Sequence, residues 1–91
     1  MFKRIHLLIS GSVQGVFYRI NTKRKAEELD LTGWVRNISD SGVEILAEGE
    51  EANLKKIVSW CHDGPDNAIV SEVKAEWGEY QEKFDKFIIL V

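Results

Sequence analysis

The sequence predicts an α+β sandwich, with two helices packed on one face of an antiparallel sheet of four strands and a short terminal strand added. Three observations carry this reading. Strand-like segments show one apolar face each, as a sheet covered on one side requires. Two other segments repeat apolar residues at helical spacing. The segments follow one another as strand, helix, strand, strand, helix, strand.

Each element has its own warrant. From Ile5 the chain alternates, with Ile5, Leu7 and Ile9 on one face and His6, Leu8 and Ser10 on the other. After a loop containing Gly11 and Gly15, Thr22, Ala26 and Leu29 recur at helical spacing among charged residues. An amphipathic helix is expected from about Tyr18 to Asp30, with Gly33 just past its end. "TGWVRNI" and "GVEILAEG" flank the turn-forming "SDSG" and read as a hairpin, whose third-strand residues Val43, Ile45 and Ala47 face inward while Glu44, Leu46 and Glu48 face outward. Leu54, Ile57, Val58 and Cys61 stand at i, i+3, i+4 and i+7, with acidic residues before them and Gly64-Pro65 after, which defines a second helix. "AIVSEVKAEWGEY" reads as a long strand and "KFIILV" as a short last one. This βαββαβ order is the split β-α-β arrangement of ferredoxin-like sandwiches.

Composition narrows the function. Ninety-one residues, 44% hydrophobic and 10% aromatic, suit one globular domain spanning residues 1–91. Cys61 is the single cysteine, so no internal disulfide can form, and a reducing compartment is expected. Two histidines, His6 and His62, with no clustered Cys/His spacing, argue against a zinc site. The apolar run in "MFKRIHLLIS" is too short for a signal peptide or a membrane span. The expectation is a soluble, cytoplasmic monomer with no cofactor and no membrane partner. A net charge of −3 disfavours a nucleic-acid partner, which needs a basic face.

The topology predicts where a site would lie. The first and second strands run the same way with the third between them, so their carboxyl ends share one edge, about 10 Å apart at two strand spacings. The first helix begins at that edge. A loop running from a strand into a helix ends in unpaired N–H groups that favour an anion. In "SGSVQGVFYR", Gly15 frees the backbone, and Arg19 puts a cation where the helix dipole opposes one, at a cost of about 0.3–1 kcal/mol unless an anion is bound. Two readings stand at this point, a phosphate cradle with an arginine clamp and a plain turn followed by a surface arginine.

"GSVQGVFYR" followed by "LTGWVRN" resembles the acylphosphatase family, whose hallmarks are a G-x-V-Q-G-V-x-[aromatic]-R loop and a G-W-V-x-N strand. "VEILAEGE", "WCHDGP" and "FDKF" extend the resemblance along the chain. It implies hydrolysis of the carboxyl–phosphate bond of acyl phosphates, releasing a carboxylate and inorganic phosphate, without a metal. It also implies a phosphate-binding role for Arg19, a water-orienting role for Asn37, and a phosphate-binding loop formed by Gly15, Val16, Phe17, Tyr18 and Arg19. Many members have a small residue where Phe17 stands and phenylalanine where Tyr18 stands, differences that bear on the acyl group.

Other conspicuous residues take structural readings. Gln14 is expected to brace the loop, Gly11 and Gly33 to serve backbone geometry, and Trp34, Trp60 and Tyr18 to pack. Cys61 lies on an apolar stripe, and Lys23 to Lys25 are balanced by Glu27 and Glu28 on a solvated helix face. A binding module without turnover is the competing class, but it has no need of a water-orienting asparagine. An RNA-binding sheet is rejected because Glu44, Leu46 and Glu48 occupy the open positions of the third strand.

Overall fold

The computed structural model describes residues 1–38 and 41–90. The elements are β1 (Phe2–Ser12), α1 (Tyr18–Glu28), β2 (Thr32–Asn37), β3 (Val43–Glu50), α2 (Glu51–Asp63), β4 (Ile69–Glu79) and β5 (Phe87–Ile89). They form a five-stranded sheet in the order β4-β1-β3-β2-β5, with both helices against it. The expected hairpin between β2 and β3 is present, and the "SDSG" turn lies partly outside the described residues at Ser39 and Asp40.

The alternation in the strands sets the core. Ile5, Leu7 and Ile9 are fully buried, and so are their β3 partners Ala47, Ile45 and Val43. α2 lays Leu54, Ile57 and Cys61 on them, all at 0% exposure. Each of these larger aliphatic side chains contributes about 1.5–3 kcal/mol by leaving water. α1 covers the same layer with Tyr18, Thr22 and Ala26, small residues apart from Tyr18. It stops at Glu28 rather than Asp30, because Asp30 takes a left-handed φ of 56° and Leu31 N–H turns back to the Ala26 carbonyl at 2.9 Å. Gly33 (φ 137°) lets β2 press on β3, since a Cβ there would stand 1.9 Å from the Leu46 carbonyl oxygen.

The four strands β4, β1, β3 and β2 pair antiparallel, as expected, and the short terminal strand β5 adds to β2 in parallel, through Gly33, Trp34 and Val35, which makes the sheet mixed. The cause is the route of the chain. β4 ends opposite the start of β1, with Lys3 facing Glu79, and β5 begins opposite Gly33 near the start of β2. Residues 80–86 therefore cross below the sheet and enter β5 in the direction of β2.

One expectation needs correction: Glu48, expected on the open side with Glu44 and Leu46, is covered. It is only 1% exposed, because that crossing covers it. Its carboxylate accepts from the backbone N–H of Gln81 at 2.7 Å and of Lys83 at 3.0 Å, and from Arg4 Nε at 3.0 Å. Burial pushes the carboxyl pKa up, but these donors outweigh it and hold the group below its ordinary range.

A carboxyl held low in the folded state stabilises the fold above its ordinary pKa, and that contribution disappears as pH falls through the lowered value. Glu48→Ala should therefore cost roughly 3–5 kcal/mol at pH 7, since Arg4 and two N–H groups lose their partner. The difference from wild type should shrink steadily below about pH 4. Urea unfolding at pH 7 and pH 3 measures both; an equal penalty at both values would rule out an ionised Glu48 as the clasp.

Candidate active site

β1 and β2 both run antiparallel to β3, which lies between them, so Ser12 and Asn37 end at one edge of the sheet. Residues 13–17 carry the chain from β1 into α1 at that edge. Val13, 1% exposed, anchors the start of this loop in the core. Gln14 braces it, as expected: Nε2 donates to the carbonyl oxygens of Ile38 at 2.8 Å and Gly42 at 2.9 Å. One amide thus ties the loop to both sides of the β2–β3 connection.

The loop backbone then alternates in hand. Gly15 (φ 73°) and Phe17 (φ 62°) are left-handed, on either side of Val16. Such alternation turns successive N–H groups to one side and forms a concavity suited to an anion. A Cβ at Gly15 would meet open space, so glycine there serves the dihedral rather than a close approach. Phe17 takes the same region at a cost of about 1–2 kcal/mol. Asn21 holds it there, donating from Nδ2 and from its backbone N–H to the Phe17 carbonyl at 2.9 and 3.1 Å.

α1 starts with no side-chain cap and no acidic residue in its first turn. Its free N–H groups and the dipole make that end positive, and Arg19 adds a full charge. Among the described residues no carboxylate pairs with Arg19. Tyr18, which also borders this end, turns its ring and hydroxyl toward α2. It is 1% exposed, its ring lies 5.4 Å from that of Trp60, and its hydroxyl donates to the Cys61 carbonyl at 2.8 Å. Burial pushes the phenol pKa well up, so Tyr18 stays neutral and pins α1 to α2.

A cleft of about 430 Å³ opens at this edge. Of the residues singled out from sequence, Gly15, Phe17, Tyr18, Arg19 and Asn37 line it together. The Val16 side chain does not; it packs toward the core. Asn37 Oδ1 is buried and has no hydrogen-bond partner among the described residues. A buried acceptor left unsatisfied costs about 1–3 kcal/mol, so the atom marks a place where a donor is wanted.

Val13, Ile20 and Ile89 complete the lining and were not singled out from sequence. Ile20 carried a signal, being an apolar first-turn residue off the Thr22–Ala26 stripe. Ile89 carried none, because its position depends on the parallel pairing of β5.

The other reactive side chains lie elsewhere. His6 bonds Glu44 at 2.6 Å on the face away from the helices, where Arg36 Nε also bonds Glu44 at 2.6 Å. Burial pushes the Glu44 carboxyl up, yet its bonds to His6 and Arg36 hold it below its ordinary range. Cys61 is fully buried, and burial pushes its thiol up to about 12. Among the described residues, no three His, Cys, Asp or Glu side chains converge as a metal site.

The acylphosphatase family model matches residues 5–89. An acylphosphatase of Marinobacter nauticus is 55% identical over 92% of this chain and 91% of its own length. The solved acylphosphatase of Coxiella burnetii superimposes with a TM-score of 0.93 at 40% identity, over 98% of this chain and 93% of that one. That of Bacillus subtilis gives 0.94 at 32% identity, with both chains covered completely. Sequence and fold agree along almost the full length, and the chain belongs to the acylphosphatase family.

Proposed function

We propose that this chain hydrolyses acyl phosphates in the cleft between the 13–19 loop and the end of β2, with Arg19 and Asn37 as its catalytic residues. The observation that carries the reading is the pairing in one cleft, among the described residues, of a guanidinium without a carboxylate and a buried carboxamide oxygen without a donor. The first suits a phosphoryl group and the second a water molecule.

The chemistry follows from the substrate. An acyl phosphate is a mixed anhydride whose carboxylate leaves readily, so the site must position and stabilise charge rather than supply an acid. The N–H groups of residues 15–19 and the Arg19 fork bind the phosphoryl oxygens. Asn37 Oδ1 accepts a hydrogen bond from the attacking water and directs its lone pair at phosphorus. The water oxygen bonds to phosphorus as the bond to the acyl oxygen breaks. Its proton passes to the phosphate, because a carboxamide is a poor base. Substrate dianion and water become a carboxylate and dihydrogen phosphate. Arg19 and the helix end provide the positive field, and no metal is required. We place the enzyme in the cytoplasm as a single-domain monomer, consistent with its one buried cysteine.

Benzoyl phosphate hydrolysis with excess chelator should be rapid for wild type and fall at least ~10²–10³-fold in Arg19→Ala and Asn37→Ala. Inorganic phosphate should still protect Asn37→Ala against heat and fail to protect Arg19→Ala. A folded wild type that binds phosphate but turns nothing over would make this a binding module. Full activity in both variants would remove the site from this cleft.

Gln14→Ala should leave the protein folded and lower kcat about tenfold, with a smaller effect on KM, because it frees the loop from β2 rather than removing a phosphate ligand. Steady-state kinetics beside circular dichroism checks this. A change in KM alone would make Gln14 part of the binding surface.

A further inference from the structure

Once phosphate and water are placed, much of the cleft wall remains. The Tyr18 hydroxyl donates to the Cys61 carbonyl, and Gln14 Nε2 spends both hydrogens on Ile38 and Gly42, outside the cleft lining. Neither offers a free donor to a polar acyl group. Arg19 is the single charged side chain among the described lining residues, and the phosphoryl group occupies it. Among the described residues the rest of the mouth is apolar: Phe17 and Ile20 are 71% and 48% exposed, and Ile89 is half-buried beside them.

Scattered exposed apolar residues are ordinary. These three converge on one cleft from a loop, a helix and the last strand. Phe17 is the more telling because it holds a left-handed backbone while leaving its ring in water, so the fold gains little from it. We propose that Phe17, Ile20 and Ile89 form the acyl-binding wall, and that the preferred substrates are acyl phosphates with neutral, apolar acyl groups. Short acyl groups, and those bearing a second anionic group, are the poor ones. This rests on the hydrolase reading above and names its substrate class.

The straight-chain acyl phosphates share one leaving-group chemistry, so their differences report the wall. A fully buried methylene is worth about fourfold in affinity, and a half-covered one about twofold. From acetyl through butanoyl to hexanoyl phosphate, kcat/KM should rise roughly tenfold, mainly through a falling KM. Glutaryl phosphate, whose chain ends in a carboxylate, should fall below butanoyl phosphate.

Ile20→Ser should cut the hexanoyl-over-acetyl preference about fivefold, and Ile20→Leu should retain it. Phe17→Gly should flatten the series while raising Tm by roughly 4 °C, since the left-handed strain is relieved. An active wild type with a flat series, or a slope that survives Ile20→Ser, would overturn the wall and leave the hydrolase intact. A folded wild type that hydrolyses none of these compounds would overturn both.

Discussion

β3 lies between β1 and β2 and runs against both, and the arrangement of the site depends on that pairing. Because each strand pair is antiparallel, the outer two must run the same way, and their carboxyl ends must share an edge. That places Asn37 opposite the loop that leaves β1. The Gln14 amide then ties the loop to the β2–β3 connection at two carbonyl oxygens, so the two halves of the site move as one. Without the sheet register there is no cleft, and without the clasp its two walls are joined only through their strands.

The site holds several features that cost stability. Phe17 is left-handed, Arg19 sits where the helix dipole opposes it, and Asn37 Oδ1 is buried without a donor among the described residues. The costs run from about 0.3–1 kcal/mol for Arg19 to about 1–3 kcal/mol for Asn37. They lie next to some of the most firmly packed parts of the molecule. Tyr18 follows Phe17 directly, and its buried ring and hydroxyl tie α1 to α2, while Thr22 and Ala26 seat the next two turns on the sheet. Functional strain beside a rigid anchor is how a small domain keeps donors aimed at an absent ligand.

The opposite edge has a separate task. The chain crosses there from β4 to β5, and the Glu48 carboxylate collects two backbone N–H groups and Arg4 to close it. This clasp lets β5 pair beside β2 and thereby brings Ile89 to the cleft. A buried carboxylate far from the reaction thus bears on the wall that meets the acyl group.

The sequence alone determined the order of elements, the inward faces of β1 and β3 and the edge at which the cleft lies. It did so because periodicity and turn residues are local, and because the βαββαβ order leaves few ways to pair the strands. The bracing contacts of Gln14 and the position of Arg19 at the start of α1 were legible for the same reason, whereas Asn37 stood out only through the resemblance carried by "GWVRN". Tertiary structure alone decided that Glu48 is buried, that the last strand is parallel, and that Ile20 and Ile89 share a cleft. Glu48 reads as a solvent-facing residue until residues 80–86 cross over it. Ile89 reads as one more strand residue until β5 docks on β2. These outcomes depend on segments distant in sequence meeting in space, and no local pattern records where a chain returns.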